Sequence, residues 1–198
     1  MDLGLEGKVA IVTGGSDGIG KAAAISMASE GAKVAIVGRT QSKLDDAVAE
    51  IKKASGGEAI GVAADVSVES DVKAMVEKVV AEYGKLDILV NNAGTSSATT
   101  LENMTDDDLK VDFGIKVYGA VYCARAALPH LKKSGAGAIV NTTTPGGKAP
   151  NPGGQPTSLS RAAGISLTKS WAGELAKDNI RVNTVCVGVL KSGQHRTR

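Results

Sequence analysis

Short runs rich in β-branched residues alternate along the chain with longer stretches in which apolar residues return every three or four positions. The first pattern suits buried strands and the second amphipathic helices, so the alternation predicts a parallel sheet covered by helices on both faces. Strand candidates are Lys8 to Thr13, Lys33 to Gly38, Ala59 to Ala64, Leu86 to Asn91, Ala138 to Thr143 and Ile180 to Val187. Helix candidates lie between them at Gly18 to Glu30, Ser42 to Ala54, Val68 to Tyr83, Asp106 to Lys132 and Thr157 to Lys177. Ser67 precedes the third helix, and Thr105 precedes Asp106, Asp107 and Asp108 at the fourth. Hydroxyls so placed accept the free amide protons of a helix start, and acids suit its dipole.

One segment breaks the alternation. Pro145 to Pro156 holds four of the five prolines and four glycines, a composition that excludes helix and strand. It reads either as a surface connection or, since it follows the carboxyl end of a strand, as part of a ligand crevice.

Composition narrows the function classes. The 198 residues are 42% hydrophobic with five aromatics, enough for one core built from Ala, Val, Ile and Leu, so a single domain over 1–198 is expected. The 23 basic residues nearly balance 21 acids and are scattered, which leaves no electrostatic footprint for nucleic acid or an anionic membrane. Apolar runs fall short of the ~20 residues that span a bilayer, and the first six residues lack the blocks of a secretion signal. A cytoplasmic location follows as the expectation. Cys123 and Cys186 lack the spacing of a zinc or redox pair, so no metal is expected and both thiols should be free.

The candidate chemistry begins after the first strand. Thr13-Gly14-Gly15-Ser16-Asp17-Gly18-Ile19-Gly20 runs into an alanine-rich helix, which places glycines where a tight turn lets backbone amides approach a pyrophosphate. Strand, glycine turn and helix in that order point to dinucleotide binding. After the second strand the sequence reads Val37-Gly38-Arg39-Thr40, a cation where NAD-binding sites carry a carboxylate for the ribose hydroxyl. NADP is therefore expected over NAD, although Asp17 would repel the same phosphate if the two were close.

With that turn, Asp65-Val66 after strand three and Asn91-Asn92-Ala93-Gly94 after strand four, the chain resembles the short-chain dehydrogenase/reductase family. The likeness continues through Cys123 to Pro129, Ile139-Val140-Asn141 and Ile180-Arg181-Val182-Asn183. It implies a doubly wound, Rossmann-like parallel sheet of strand order 3-2-1-4-5-6, with Gly14, Ser16, Gly18, Ile19 and Gly20 at the cofactor. It further implies Asp65 and Val66 at the adenine, and Asn92, Ala93 and Gly94 along the cofactor.

Family members of this type use a Ser, a Tyr, a Lys four residues later and an Asn on the long helix. Counting from Asn141, the Ser position carries Thr144, the Tyr position Thr157 and the Lys position Arg161, while the Asn position carries Lys116. Thr144 keeps a hydroxyl that can polarise a carbonyl, and Arg161 keeps a cation for the nicotinamide ribose. Thr157 is the serious change: a phenol ionises at about pH 10, an aliphatic alcohol far higher, and general acid-base catalysis is typically worth ~10² to 10⁴ in rate. Lys116, desolvated beside Arg161, is a candidate replacement acid; otherwise its ammonium escapes to solvent on a helix face. Tyr118 and Tyr122 share a helix face and read as packing or subunit contact, His130 and His195 as solvated, and Trp171 and Phe113 as packing anchors.

After strand six the family's Pro-Gly and Thr are matched by Val187-Gly188 and Ser192, which puts Gly188 and Ser192 among the cofactor candidates. The chain ends at Arg198 where the family continues with a substrate-covering segment and a seventh strand, so a shortened C-terminus and an uncovered strand-six edge are expected. The reading that results is an NADP-linked oxidoreductase interconverting a small carbonyl compound and a secondary alcohol, forming a homodimer or homotetramer. The competing class is a nucleotide-binding scaffold or regulator without redox turnover.

Overall fold

The computed structural model describes residues 2–188 and 190. The chain alternates β1 (Val9–Thr13), α1 (Gly18–Ser29), β2 (Lys33–Gly38), α2 (Gln41–Ser55), β3 (Ala59–Ala63), α3 (Glu69–Tyr83) and β4 (Ile88–Asn91). It continues through α4 (Asp106–Phe113), α5 (Gly119–Ser134), β5 (Ala138–Thr143), α6 (Thr157–Leu175) and β6 (Arg181–Cys186). All strand pairs are parallel, in the order β3-β2-β1-β4-β5-β6. The winding direction reverses between β1 and β4, so their carboxyl ends part and leave the crevice at which open α/β sheets take ligands.

The period of two along the strands sorts the core into two layers. Val9, Ile11, Ala35 and Val37 face α3 and α5, meeting Val72, Met75, Val79, Cys123, Ala127 and Leu131. Val12, Val34 and Ile36 face α1 and α2, meeting Ala24, Ala28, Leu44, Ala47 and Ile51. The buried face of α1 is Gly20, Ala24 and Ala28, small residues four apart that let the helix lie close to the sheet. A buried carboxylate pins the far edge: Asp87 accepts the Val9 amide at 2.9 Å and pairs with Lys85 at 3.1 Å and Lys8 at 3.6 Å.

Three local expectations are corrected. Ser67 does not cap α3, whose N-cap is Val68 without a side-chain bond; Ser67 instead donates its amide (2.9 Å) and hydroxyl (2.7 Å) to Asp65, the nearer acceptor. Thr105 does cap α4, in a reciprocal box with Asp108. The single long helix is interrupted by a π-helical turn over Gly114–Tyr118, and Lys116 sits in that turn. Pro145 to Pro156 is not wholly irregular: Pro145–Gly147 forms a 3₁₀ turn, and Gln155 makes an antiparallel bridge to Thr99. The loop is held tightly on α6, because a Cβ at Gly147 would lie 2.8 Å from the Arg161 backbone.

On its outer side β6 has no strand neighbour among the described residues, and Val185 there is 53% exposed. Among those residues no helix is long and apolar enough to cross a membrane, and no group of three or more His, Cys, Asp or Glu is placed to hold a metal.

Candidate active site

The glycine turn and the turn after β4 are built as one piece. Thr13 Oγ1 accepts the amides of Asn92 (2.9 Å) and Ala93 (3.0 Å) and donates to Val90 O, while Asn92 Nδ2 donates to Thr13 O (3.0 Å) and Gly14 O (3.1 Å). Gly14 has φ +65° and a Cβ there would lie 2.9 Å from Ala93 Cα, so no other residue fits. Gly15 and Gly20 serve packing: a Cβ on the first would meet Ile36 at 2.6 Å, and one on the second would run into Gly14 O. Gly20 is therefore buried beneath the turn, whereas Gly14, Ser16, Gly18 and Ile19 line the crevice above it.

That crevice is a groove of about 590 Å³ across the carboxyl ends of the strands. Arg39, Thr40 and Lys43 line it, as do Asp65 and Val66, the turn residues Asn92, Ala93 and Gly94, and Ile115, Thr142 and Arg161. Three cations, Arg39, Lys43 and Arg161, and two carboxylates, Asp17 and Asp65, thus share it. Burial works against the charge on Asp65, but its bonds from Ser67 and the nearby Arg39 outweigh this and hold the carboxyl below its ordinary range. Asp65 is ionised at neutral pH and draws on part of the Arg39 charge.

Arg161 donates from Nη1 to Thr142 O at 2.5 Å, and its Nη2 is the nearest atom to a Cβ built on Gly94, at 3.1 Å. Its Nε is buried without a partner among the described residues. An unpaired buried donor on a groove-lining cation is what a ligand rich in hydroxyl or phosphate oxygens would satisfy. Burial lowers the guanidinium's affinity for its proton, and Asp112 opposes that shift.

Next to Arg161 lies a cluster centred on Asp112, which is fully buried. One carboxylate oxygen accepts Lys116 Nζ at 2.5 Å and Thr157 Oγ1 at 2.9 Å; the other accepts the Ser160 hydroxyl. Thr157 Oγ1 also accepts from Lys116 Nζ at 3.3 Å and from the Ser97 amide at 3.2 Å. The Lys116 side chain is 2% exposed, which corrects the alternative that its ammonium reaches solvent: the Asp112 carboxylate retains it. Burial pushes the Lys116 pKa down to about 8, with Asp112 pulling it up and Arg161 adding a smaller downward push.

The family model described as short chain dehydrogenase matches residues 8–198. The chain belongs to the short-chain dehydrogenase family. It is similar to the 3-oxoacyl-(acyl-carrier-protein) reductase of Thermotoga maritima, with 37% identity over 190 residues, 95% of this chain and 76% of the relative. L-sorbose reductase from Gluconobacter frateurii, solved with NADPH and L-sorbose, superposes with a TM-score of 0.94 at 37% identity, over 98% of this chain and 73% of that one. The 3-ketoacyl-(acyl-carrier-protein) reductase of Brucella melitensis, solved with NADH, gives 0.92 at 35% identity over 98% and 80%.

In this short-chain dehydrogenase, three of the four residues at the expected tetrad positions come together: Arg161 and Lys116 line one small cavity, and Thr157 bonds to Lys116. Arg161 lines the groove, while Lys116 and Thr157 are turned into the Asp112 cluster. Thr144, partly buried, starts the 3₁₀ turn with its carbonyl accepting the Gly147 amide, and it lies outside the groove lining, as does the exposed Gly188. Ser192 and His195 lie outside the described residues. Sequence reasoning missed Lys43, one helical turn beyond Arg39, and it missed Asp112 and Ser160. Asp112 stands four residues before Lys116, the spacing at which an acid and a base meet on a helix, and that signal was available.

Proposed function

We propose that this short-chain dehydrogenase binds NADP in the groove, with NAD as the weaker alternative, and interconverts a small carbonyl compound and a secondary alcohol. The observation that carries the reading is the continuity of the groove: cations at Arg39 and Lys43 border one part, the glycine turn and the start of α1 border the middle, and Arg161 borders the other end. The amino end of α1 favours a pyrophosphate, and Arg39 with Lys43 favours an added 2′-phosphate over the repulsion of Asp17 and Asp65. Arg161 Nε, buried and unpaired, suits the hydroxyls of the nicotinamide ribose. When bound, the nicotinamide supplies or accepts the hydride. The chain's own part is to orient the carbonyl, with Thr144 as a hydroxyl near the strand end, and to provide the proton, for which Lys116 is the remaining acid.

A second reading, binding without turnover, is favoured by one feature. The Thr157 hydroxyl donates to Asp112 and accepts from Lys116 and Ser97, so its resting proton is committed away from any substrate. Titrating purified protein with NADPH and NADH, then adding a panel of small ketones and aldehydes, separates the two. Substrate-dependent loss of NADPH absorbance supports the oxidoreductase; a fluorescence change without consumption supports the binding protein; no binding of either coenzyme overturns both.

The reading also includes a cytoplasmic location, in keeping with two free thiols, and self-association through the exposed apolar residues Val111, Tyr118 and Leu159. Tyr118 stacks on Tyr122 with ring centroids 6.3 Å apart and is itself 56% exposed, which suits a homodimer or homotetramer contact.

A further inference from the structure

A carboxylate with no exposed surface is costly to bury unless its neighbours satisfy it, and Asp112 is satisfied by three side chains from two other elements. Those elements, the π turn and the start of α6, carry the residues at the positions where the family resemblance looks for proton chemistry. The exposures within the cluster differ. Asp112 and Ser160 are buried, the Lys116 side chain is 2% exposed, and Thr157 alone is partly open. Lys116 lines a small cavity beside Arg161, and the Thr157 hydroxyl, 3.3 Å from its Nζ, is the partly open member of the cluster to which Lys116 can hand a proton.

We propose that Asp112 is a positioning residue that holds Lys116 and Thr157 as one proton-delivering unit, with Lys116 as the store and Thr157 as the outlet. The proposal rests on the oxidoreductase reading above. In the reducing direction, the Thr157 hydroxyl turns its proton from Asp112 to the substrate oxygen as hydride reaches the carbonyl carbon. Lys116 Nζ passes a proton to Thr157 Oγ1 in the same exchange, so one N–H bond and one O–H bond break while two O–H bonds form. Lys116 is left neutral and regains a proton from solvent. Thr157 never has to exist as an alkoxide, which removes the objection that an aliphatic alcohol is too weak an acid. Asp112 makes the exchange possible by holding both donors on one oxygen and keeping the stored proton on Lys116 against the pull of burial. The charged groups that face Lys116 are Asp112 from α4 and Arg161 from α6. The Cys123 thiol of α5 shares a small cavity with Lys116 and is pushed up to about 12 by its burial, so it stays neutral.

The test uses the full chain and two independent readouts. The first is the pH dependence of the unfolding free energy relative to a Lys116→Met variant, measured in urea without cofactor, whose midpoint reports the native protonation of Lys116. Asp112→Asn is expected to move that midpoint downward when compared with Asp112→Asn/Lys116→Met, and Asp112→Glu to move it back. The second is the single-turnover rate of NADPH oxidation with a carbonyl that the wild type reduces. Here Asp112→Asn is expected to lose on the order of 10²-fold with its pH profile displaced in the same direction, at unchanged NADPH affinity. Thr157→Val, nearly isosteric, covers the case in which Asp112→Asn does not fold: it should lose a similar factor in rate while leaving the Lys116 midpoint close to wild type. An unmoved midpoint in Asp112→Asn, or a wild-type rate in Thr157→Val, overturns the proposal. A wild type that binds NADPH but reduces no carbonyl overturns the oxidoreductase reading instead, and the cofactor-free midpoint still decides whether Asp112 controls Lys116.

Discussion

The Lys116 ammonium and the Asp112 carboxylate meet at 2.5 Å with 2% and 0% of their side chains exposed. Breaking such a pair by removing one partner typically costs about 3 to 5 kcal/mol, because the other charge is left buried and alone. Asp112→Ala is therefore expected to be destabilised by about that amount, as read from the urea midpoint. Asp112→Leu combined with Lys116→Met removes both charges and is expected to recover most of the loss. If the double variant is as unstable as the single one, packing rather than charge holds this corner together.

The same pair sets a pH dependence with the sign of the usual acid loss, stability falling as pH falls, but in an alkaline window. Burial depresses the Lys116 pKa in the folded chain to about 8 from 10.5. Below pH 8 both folded and unfolded states carry the proton and the buried charge costs stability. Between about pH 8 and 10.5 the unfolded state keeps a proton that the folded state has released, so stability rises with pH in that window. The wild type should gain on Lys116→Met across this range in urea titrations at stepped pH. A difference that stays flat would mean that Lys116 titrates at its ordinary value.

Arg39 directly follows β2 and borders the groove with Lys43, and Asp65 takes part of its field. Arg39→Asp places two carboxylates where a 2′-phosphate would lie. NADPH affinity is expected to fall by about tenfold or more, equivalent to about 1.4 kcal/mol, while NADH affinity holds or improves, as measured by calorimetry. An equal loss for both coenzymes would place the Arg39 contact on the shared part of the dinucleotide.

The alternation of β-branched runs with helical stretches carried the parallel sheet and its two covered faces, because burial on both sides leaves a strong mark on every strand, while the strand order followed from the family resemblance. Thr105 was readable as a cap because its partner Asp108 is local. Ser67 was misread because its competitor Asp65, two residues back, outbids the helix start, and sequence order does not rank acceptors. The π turn at Gly114–Tyr118 left no periodic signal, since five residues shift the phase too little to show. The groove was legible as glycines and cations at strand ends. Of the Asp112 cluster only the Asp112–Lys116 spacing was legible, because Ser160 and Thr157 come to Asp112 from more than forty residues away.

The two cysteines differ in reach. Cys123 is 1% exposed, and burial raises its pKa to about 12, whereas Cys186 is exposed at the end of β6 with its sulfur 3.3 Å from Thr143 Oγ1. Native protein treated with a maleimide is expected to take one label, on Cys186, with Cys123 reacting only in denaturant. Peptide mapping that finds Cys123 modified under native conditions would show α5 opening away from the sheet.

Restoring a phenol at position 157 is not a single change. Lys116 Nζ lies 3.3 Å from Thr157 Oγ1, so a larger side chain there displaces the ammonium from Asp112. Thr157→Tyr with Arg161→Lys is therefore expected to lower stability and give little activity. Adding Lys116→Asn and Asp112→Val clears the space and removes the carboxylate that would be left unpaired. The fourfold variant is expected to exceed the twofold one in NADPH-dependent carbonyl reduction by ~10² or more, the usual worth of a well-placed acid. Parity between the two variants would mean that the Asp112 cluster yields to the phenol without resistance, and that Lys116 is held far less firmly than its geometry indicates.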